Sequence, residues 1–600
     1  MTPEPSPSPT QLIIPSPGAV TWDIVAQWVA IGILIACTVA VIFFVFNYLP
    51  KVKKIKPFYA SIAAVAVLGG VFAFLLPVAF NSGFGKDDDG RVLRQLILYT
   101  TGGLLGVITL GETHRRNNQE KEKNENDHIR QVHAERRSRY TTAVEQLANE
   151  KAPVRRGGIY TLVSLADEWL ADNTLNPKER QKEGQVIINN LCAYIRSPFP
   201  HAELRMRFEK DNSEENIPEE DRDEFLKKQA QFREEQDIRQ TILTEITDRL
   251  GSENMKTKNG KQVPQKGPWS DFTYNFSGSF FLYNVNFRNV VVTCPINFSR
   301  SVFGQVVSFY NSIFEGEVFF GGSIFEKTPS FIKTDFKKSS SFHGAEFKSG
   351  VNFKKSTFNG STIFQDAIFS SPTSFASTHF EEKADFKDAR FTGHTSFSGA
   401  TFKKEAIFTD AIFKKNISHA VNSSTITTDF NGATFENIAD FRNAYFEGFS
   451  NFVNANFEGD TRFINTTFKV FDKLADFTDT KFIGSATFAK SIFFGPTCFH
   501  GARFINKEPR FGAQDSSLLA ARFSCSVTPE SYIFGVSSHS PYKIQLGQSE
   551  INGKKFIVPE GTILFDPKSW DEENKKYTRV SGPAKPLDKS NDSKEEKPAK

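Results

Sequence analysis

The first hundred residues alternate between long apolar runs and short charged ones. Ile24 to Phe46 and Phe58 to Phe80 contain no charged residue. Each run is about 20 residues or more, enough to cross the hydrocarbon core of a bilayer as a helix. Stretches such as Gly32-Ile-Leu-Ile-Ala36 and Val41-Ile-Phe-Phe-Val45 present no polar face, unlike the amphipathic helices of a soluble core. They predict transmembrane helices over residues 22–49 and 58–80. A third uncharged run, Gln95 to Gly111, is shorter and lies between Arg94 and Glu112; it predicts a third span over 92–111, which a two-span topology would leave unexplained.

The flanking charges orient these spans. Lys51, Lys53, Lys54 and Lys56 occupy the first loop, Asp87, Asp88 and Asp89 the second, and His114-Arg115-Arg116 follows the third run. Basic loops stay in the cytoplasm, so the expected protein is a multi-pass cell-membrane protein with its N-terminus outside and the bulk of the chain inside. Its first partner is the lipid bilayer. Residues 1–21, rich in Pro and Ser and without a basic n-region, read as a disordered extracytoplasmic N-terminus.

Beyond the third run the pattern becomes helical and charged. Arg115 to Glu150 contains neither Pro nor Gly, which suits a solvated helical stalk. After Pro153, the residues Ile159, Leu162, Val163, Ala166, Trp169 and Leu170 fall at helical spacing, and after Pro177 so do Ile188, Leu191, Cys192 and Ile195. A third stripe, Ile238, Ile242, Leu243, Ile246 and Leu250, ends a helix from about Glu219. Three such stripes can bury one another, so residues 112–250 are expected to form a cytoplasmic stalk and a small helical bundle. His128 and His133 on the stalk are five apart and share no helical face, which argues against a metal site.

In the second half a single residue type sets the pattern. Phe303, Phe314, Phe325, Phe336, Phe347, Phe358, Phe369, Phe380, Phe391, Phe402 and Phe413 recur every eleventh position, and Phe309, Phe331, Phe353, Phe364 and Phe386 belong to a second series with the same step. Together the two series run in one register from Phe276 to Phe468, interrupted only at Val292, His419 and Ser424. Phe accounts for 62 residues against 13 Tyr and 5 Trp, a bias no ordinary core produces; the cause is a repeat. Successive Phe are five and six residues apart in alternation, and Ala367, Ala389, Ala400 and Ala411 stand two before theirs. A small residue at i−2 and a large one at i both point inward when a short extended segment is followed by a turn.

This A-x-F unit resembles the pentapeptide-repeat family, and the resemblance implies a right-handed quadrilateral β-helix over 270–511, cored by the phenylalanines. Alternating fives and sixes around four sides make 22 residues per coil, with aromatic ladders at about 4.8 Å. About ten to eleven coils would give a rod on the order of 50 Å. The fold class expected for the whole chain is therefore a membrane α-helical anchor, a small α-helical region and an all-β pentapeptide-repeat solenoid. More narrowly, Arg139 to Leu147 and Val154 to Tyr160 look like the segment that follows the membrane helices in membrane-anchored pentapeptide-repeat proteins of actinobacterial type. That group brings no established activity with it.

Two irregularities are expected: one coil disturbed between Ile417 and Thr428, where His419 is best neutral or turned outward, and a slip of three residues within Val470 to Ala475. From 512 to 569 the alternation around Asn552-Gly553 and Glu560-Gly561 predicts a C-terminal β cap. Residues 570–600, charged and rich in Lys and Pro, are expected to be disordered.

Composition adds mainly exclusions. The formal net charge is +4, and between Phe276 and Phe511 there are 25 Lys and Arg against 22 Asp and Glu. A DNA mimic would be strongly negative and a nucleic-acid binder would carry a basic stripe. Lys337-Lys338 and Lys403-Lys404 share a corner with Glu381-Glu382 between them, which reads as a mixed-charge ladder. No nucleic acid is expected as a partner, although a gyrase-directed or nucleic-acid-related effector and a membrane signalling component remain the alternatives in other classes. Five scattered cysteines without a CxxC pair suit a reducing compartment. Phosphate loops, nucleophile elbows and H-E-x-x-H helices are missing from the sequence, and a Phe-filled coil has no interior for a substrate. The expectation is a non-enzymatic scaffold without a cofactor, docking an unknown protein. Gly102 and Gly106 form a G-x-x-x-G face in the third span that suits either packing on the protein's own spans or a homodimer, and uncovered β-helix ends would favour the latter.

Overall fold

A computed structural model describes residues 22–44, 57–80, 88–209, 219–251, 255–258, 260–414, 427–469, 474–512 and 519–587. They fall into two compact units, Met1–Ala134 and Glu135–Lys600. The N-terminal extension 1–21, the loop lysines 51 to 56 and Asp87 lie outside the described residues.

The first unit holds α1 (Trp22–Phe43), α2 (Pro57–Ala79) and most of α3 (Asp88–Leu147). All three helices are long and apolar enough to cross a membrane. Gln27, a polar side chain within α1, donates from Nε2 to the carbonyl of Ala79 at 2.7 Å, satisfying a group that the end of α2 leaves without a helical partner. The stalk expected after the third apolar run is the continuation of that run in one 60-residue helix.

The second unit begins with α4 (Ala152–Ala171), α5 (Pro177–Arg196), the one-turn α6 (Arg205–Phe208) and α7 (Glu219–Arg249). Pro lies in the first turn of α4 and of α5, where a missing N–H costs nothing. The Asn176 side chain caps α5 by accepting from the Glu179 amide at 3.0 Å. The apolar stripes of α4, α5 and α7 pack into a common core, all of their residues buried except Leu170, which is partly buried against it.

From Tyr274 the chain winds into parallel two-residue strands that pair one coil later. Val318 pairs with Ser340, Ile324 with Glu346, Val351 with Thr373 and Ile313 with Asp335, each a step of 22 residues. Four faces result, numbered here from the strands Tyr274–Asn275, Phe280–Phe281, Val285–Asn286 and Val291–Val292. Every phenylalanine of the two series from Phe303 to Phe413 is at most 1% exposed. Rings one coil apart stack nearly parallel, as Phe342 on Phe364 at 4.8 Å and Phe364 on Phe386 at 4.9 Å, while rings on neighbouring faces meet edge-on, as Phe353 and Phe364 at 78°. Both are favourable quadrupole geometries.

The inward position two before the Phe holds hydroxyls as well as alanines. Ser323 donates to the Phe298 carbonyl at 2.7 Å and Thr378 to the Phe353 carbonyl at 2.9 Å, so these buried polar groups are bonded to the previous coil. At the corners, Asn352, Asp385, Asp429 and Asn451 accept from the amide two residues on, as Asx turns do. Every second corner needs a left-handed residue, and Gly322, Lys333, Gly344, Lys355 and Asp366 follow one another there at φ 58 to 65°. For lysine this conformation is strained. Lys355→Gly should therefore stabilise the solenoid by about 0.5–1 kcal/mol, whereas Lys355→Ala should change little; a lower denaturation midpoint for the glycine variant would contradict this corner geometry.

Between Tyr274 and Phe504 the described strands break the ladder twice. Thr395 pairs with Thr428 and Phe413 with Phe446, steps eleven residues longer than a coil, so the disturbance is eleven extra residues of sequence between the face-two strand Ile412–Phe413 and the face-three strand Thr428–Asp429, with the strands on both sides kept aligned. His419 and Ser424 lie outside the described residues. Ser450 pairs with Ala475, a step three residues longer than a coil, as the expected slip requires.

The C-terminal end departs from expectation in two ways. The coil does not stop at Phe511: Phe523 stacks on Phe493 at 4.8 Å, Thr497 pairs with Tyr532, and Arg522 pairs with Ile563. The hairpin Leu546–Ile551 with Lys554–Pro559 does form, turning at Asn552 and Gly553 with φ of 53° and 73°, the pair of positive values a tight hairpin requires. Residues 570–587, expected to be disordered, instead form strands. Val580–Pro583 pairs with Ile563–Phe565 and Lys585–Pro586 with the hairpin, and Tyr577 packs 4.5 Å from Phe565 and 4.8 Å from Trp570. The charge of this segment hid the fact that the last coil needs edge partners. Residues 588–600 lie outside the described residues.

Candidate functional site

The surface that the solenoid offers is set by the residues beside the phenylalanines. On face two the residue before each inward Phe points outward, and this column reads Phe280, Val302, Ile324, Glu346, Ile368, Arg390, Ile412 and Tyr445. On face three the outward residues are Ser308, Asn352, Ser374, Ser396 and Asp429. Face one mixes Ile363, Asp385, Ile407, Asp440 and Arg462, and face four mixes Asp335, Thr357, His379 and Thr401. Among the described residues only face two carries a predominantly apolar column. The sequence signal for it is the residue at i−1 to one Phe series, a position that the inward-facing pattern of i−2 and i leaves out.

Surface charges form ladders of both signs. Lys403 Nζ lies 2.7 Å from Glu381 Oε2 across one coil, on the corner where a mixed-charge ladder was expected. Lys383 approaches Asp385 at 3.3 Å, and Arg442 and Arg462 both approach Asp440, at 2.6 Å and 3.7 Å. The solvent-facing Lys403–Glu381 and Lys383–Asp385 pairs contribute roughly 0–1 kcal/mol each, whereas Asp440 is buried beneath its two arginines.

The N-terminal end of the solenoid is closed by the helical bundle. Gln181 and Gln185 donate to the carbonyls of Asp271 and Thr273 at 2.6 Å and 2.9 Å, Gln236 donates to Leu282 at 2.6 Å, and the Val291 amide donates to the Leu250 carbonyl at 3.2 Å. With strands 546–586 closing the other end, neither end of the β-helix supplies the argument for dimerisation first drawn from open edges. Arg239, on α7, is 0% exposed. Its guanidinium donates to Glu235 Oε1 at 2.6 Å and to the carbonyls of Ile195, Ser197 and Pro198 at 2.9–3.0 Å, and it lies 4.6 Å above the Phe199 ring. It thus ties the chain leaving α5 to α7. Sequence reasoning passed over it because a buried arginine has no signature in the apolar pattern.

Other chemistry is sparse. All five cysteines are free, and burial pushes the Cys192 thiol up to about 12, leaving it unreactive at neutral pH. Among the described residues no three His, Cys, Asp or Glu side chains gather to hold a metal. A hollow of about 780 Å³, open to solvent, is lined by Met255, Lys256, Pro264, Gln265, Lys266, Val291, Ile313 and Glu315, and its only opposed charges, Lys266 and Glu315, are paired at 3.0 Å. In the first unit, a Cβ at Gly69 would sit 2.5 Å from Thr101, so α2 and α3 approach closely there, whereas a Cβ at Gly102 or Gly106 would meet nothing within 4 Å.

Residues 331–379, 375–418 and 427–469 match the family model described as pentapeptide repeats, in nine copies. No curated protein and no solved structure matches the chain.

Proposed function

We propose that this chain, whose solenoid belongs to the pentapeptide-repeat family, is a non-enzymatic membrane-anchored scaffold. Its β-helix is an interaction-type fold, and its interior is filled by stacked phenylalanine rings that leave no room for a substrate. That filled interior is the observation on which the reading rests: recognition has to happen on the outside, along flat faces of repeated side chains. The three long apolar helices support anchorage in a bilayer, and the lysines of the first loop support a cytoplasmic solenoid. An unidentified protein is the proposed partner, and the open Gly102–Gly106 face of α3 is available to a second copy.

A reporter active only in the cytoplasm, fused after Lys600, should be active, and an exported reporter at the same point should not. The opposite pattern would reverse the topology. Cross-linking in native membranes followed by identification of the captured proteins tests the scaffold role: recovery of the chain with no reproducible partner would count against it.

A further inference from the structure

The apolar column of face two is self-complementary. Across five consecutive coils its outward residues are Ile324, Glu346, Ile368, Arg390 and Ile412, with Ile368 38% exposed at the centre. Neither Glu346 nor Arg390 forms an ion pair with another described residue. The two charges stand one coil either side of Ile368 and have opposite signs.

We infer that face two is the contact between two copies of this chain, packed antiparallel about a two-fold axis that passes through Ile368. In an isologous pair, whatever residue i meets, its counterpart meets in return. Laying face two on its own copy with the coil direction reversed brings Ile368 onto Ile368, Ile324 onto Ile412, and Glu346 onto Arg390 twice. The parallel arrangement would set Glu346 against Glu346 and Arg390 against Arg390, so the charges select the antiparallel register.

The corner that precedes face two agrees with this choice. Its left-handed residues over the same five coils are Gly322, Gly344, Asp366, Asp388 and Asp410. The antiparallel register places Asp388 opposite Gly344 and Asp410 opposite Gly322, so that two of the three acids meet a corner without charge. Asp366 alone meets its own counterpart, and His343 lies 3.9 Å from it in each copy. Five coils span about 20–25 Å at one strand spacing per coil, a small contact that dissociates on dilution.

The test uses the full chain in mild detergent, with oligomeric mass measured against concentration for wild type, Glu346→Arg, Arg390→Glu and the double reversal. Both side chains point outward, so the variants should melt like wild type. Wild type should be dimeric, each single reversal should weaken association about tenfold or more by creating two like-charge contacts, and the double reversal should restore it. A short bis-maleimide should also join Ile368→Cys chains into dimers above the wild-type background, but not Ile363→Cys chains, whose substitution lies on face one. A monomeric wild type, single reversals indistinguishable from wild type, or a double reversal that stays dissociated would each overturn the proposal. Dimers that depend on Gly102 and Gly106 instead would show as unchanged mass in the single reversals.

Discussion

Phe364→Ala is expected to destabilise the central coils by about 3 to 5 kcal/mol. The ring is fully buried, stacked at 4.8 Å on Phe342 and 4.9 Å on Phe386, with Phe353 and Phe375 edge-on at 5.5 Å and 5.3 Å. Those neighbours are held by backbone hydrogen bonds repeated in every coil, such as Phe364 N to Asp385 O at 2.7 Å, so the walls cannot close on the vacancy and its full cost is felt. A chain built of separate units does not melt in one step, so the appropriate measurement is amide exchange resolved by peptide. Loss of protection should centre on the coils containing 342, 364 and 386 and fade toward both ends, as nearest-neighbour coupling in a stacked repeat predicts. Protection lost evenly over the solenoid, or not at all, would show that the ring stack is not what holds neighbouring coils together.

The second large effect is expected at Arg239. Arg239→Met keeps much of the volume but leaves Glu235, 6% exposed, buried beside Tyr194 at 3.1 Å, and it frees three carbonyls at the end of α5. Removing one partner of a buried pair typically costs about 3–5 kcal/mol. Arg155, 3.5 Å from Glu235, should keep the loss toward the lower end. Proteolysis should then open the 195–209 segment before the solenoid, and Arg239→Met/Glu235→Gln should recover part of the loss because the stranded charge is gone. A single variant as resistant as wild type would mean that the α5 to α7 junction is held by apolar packing alone.

What the sequence disclosed depended on how often a signal was repeated. The phenylalanine ladder was legible because each ring occupies an equivalent site, so its period survives any local noise. The apolar stripes of α4, α5 and α7 were legible for the same reason on a smaller scale. Interactions made once were not legible: Arg239 bonds to three carbonyls that no pattern brings together, and the pairing of Val580 to Pro583 with Ile563 to Phe565 depends on an edge that exists only after the last coil has formed. The outward column of face two lay between these cases. It recurs every 22 residues, but a β-branched residue beside a core position is also what a solvated strand prefers, so its meaning appeared only when the other three faces proved polar by comparison.

The step of 33 residues at Thr395 and Thr428 has a consequence for how such a molecule tolerates change. A period of eleven describes half a coil, so the sequence alone carries a two-valued phase: the same phenylalanine register fits a chain in which everything downstream has been rotated by half a turn. Had the additional eleven residues been wound into the ladder, the outward column of face two above the insertion would have continued as face four below it. Pairing Ile412 with Tyr445 and Phe413 with Phe446 keeps the phase instead. Removing eleven residues between Lys415 and Ile426 should thus leave each face continuous, whereas removing eleven from within a regular coil would preserve the repeat and yet exchange opposite sides of the rod.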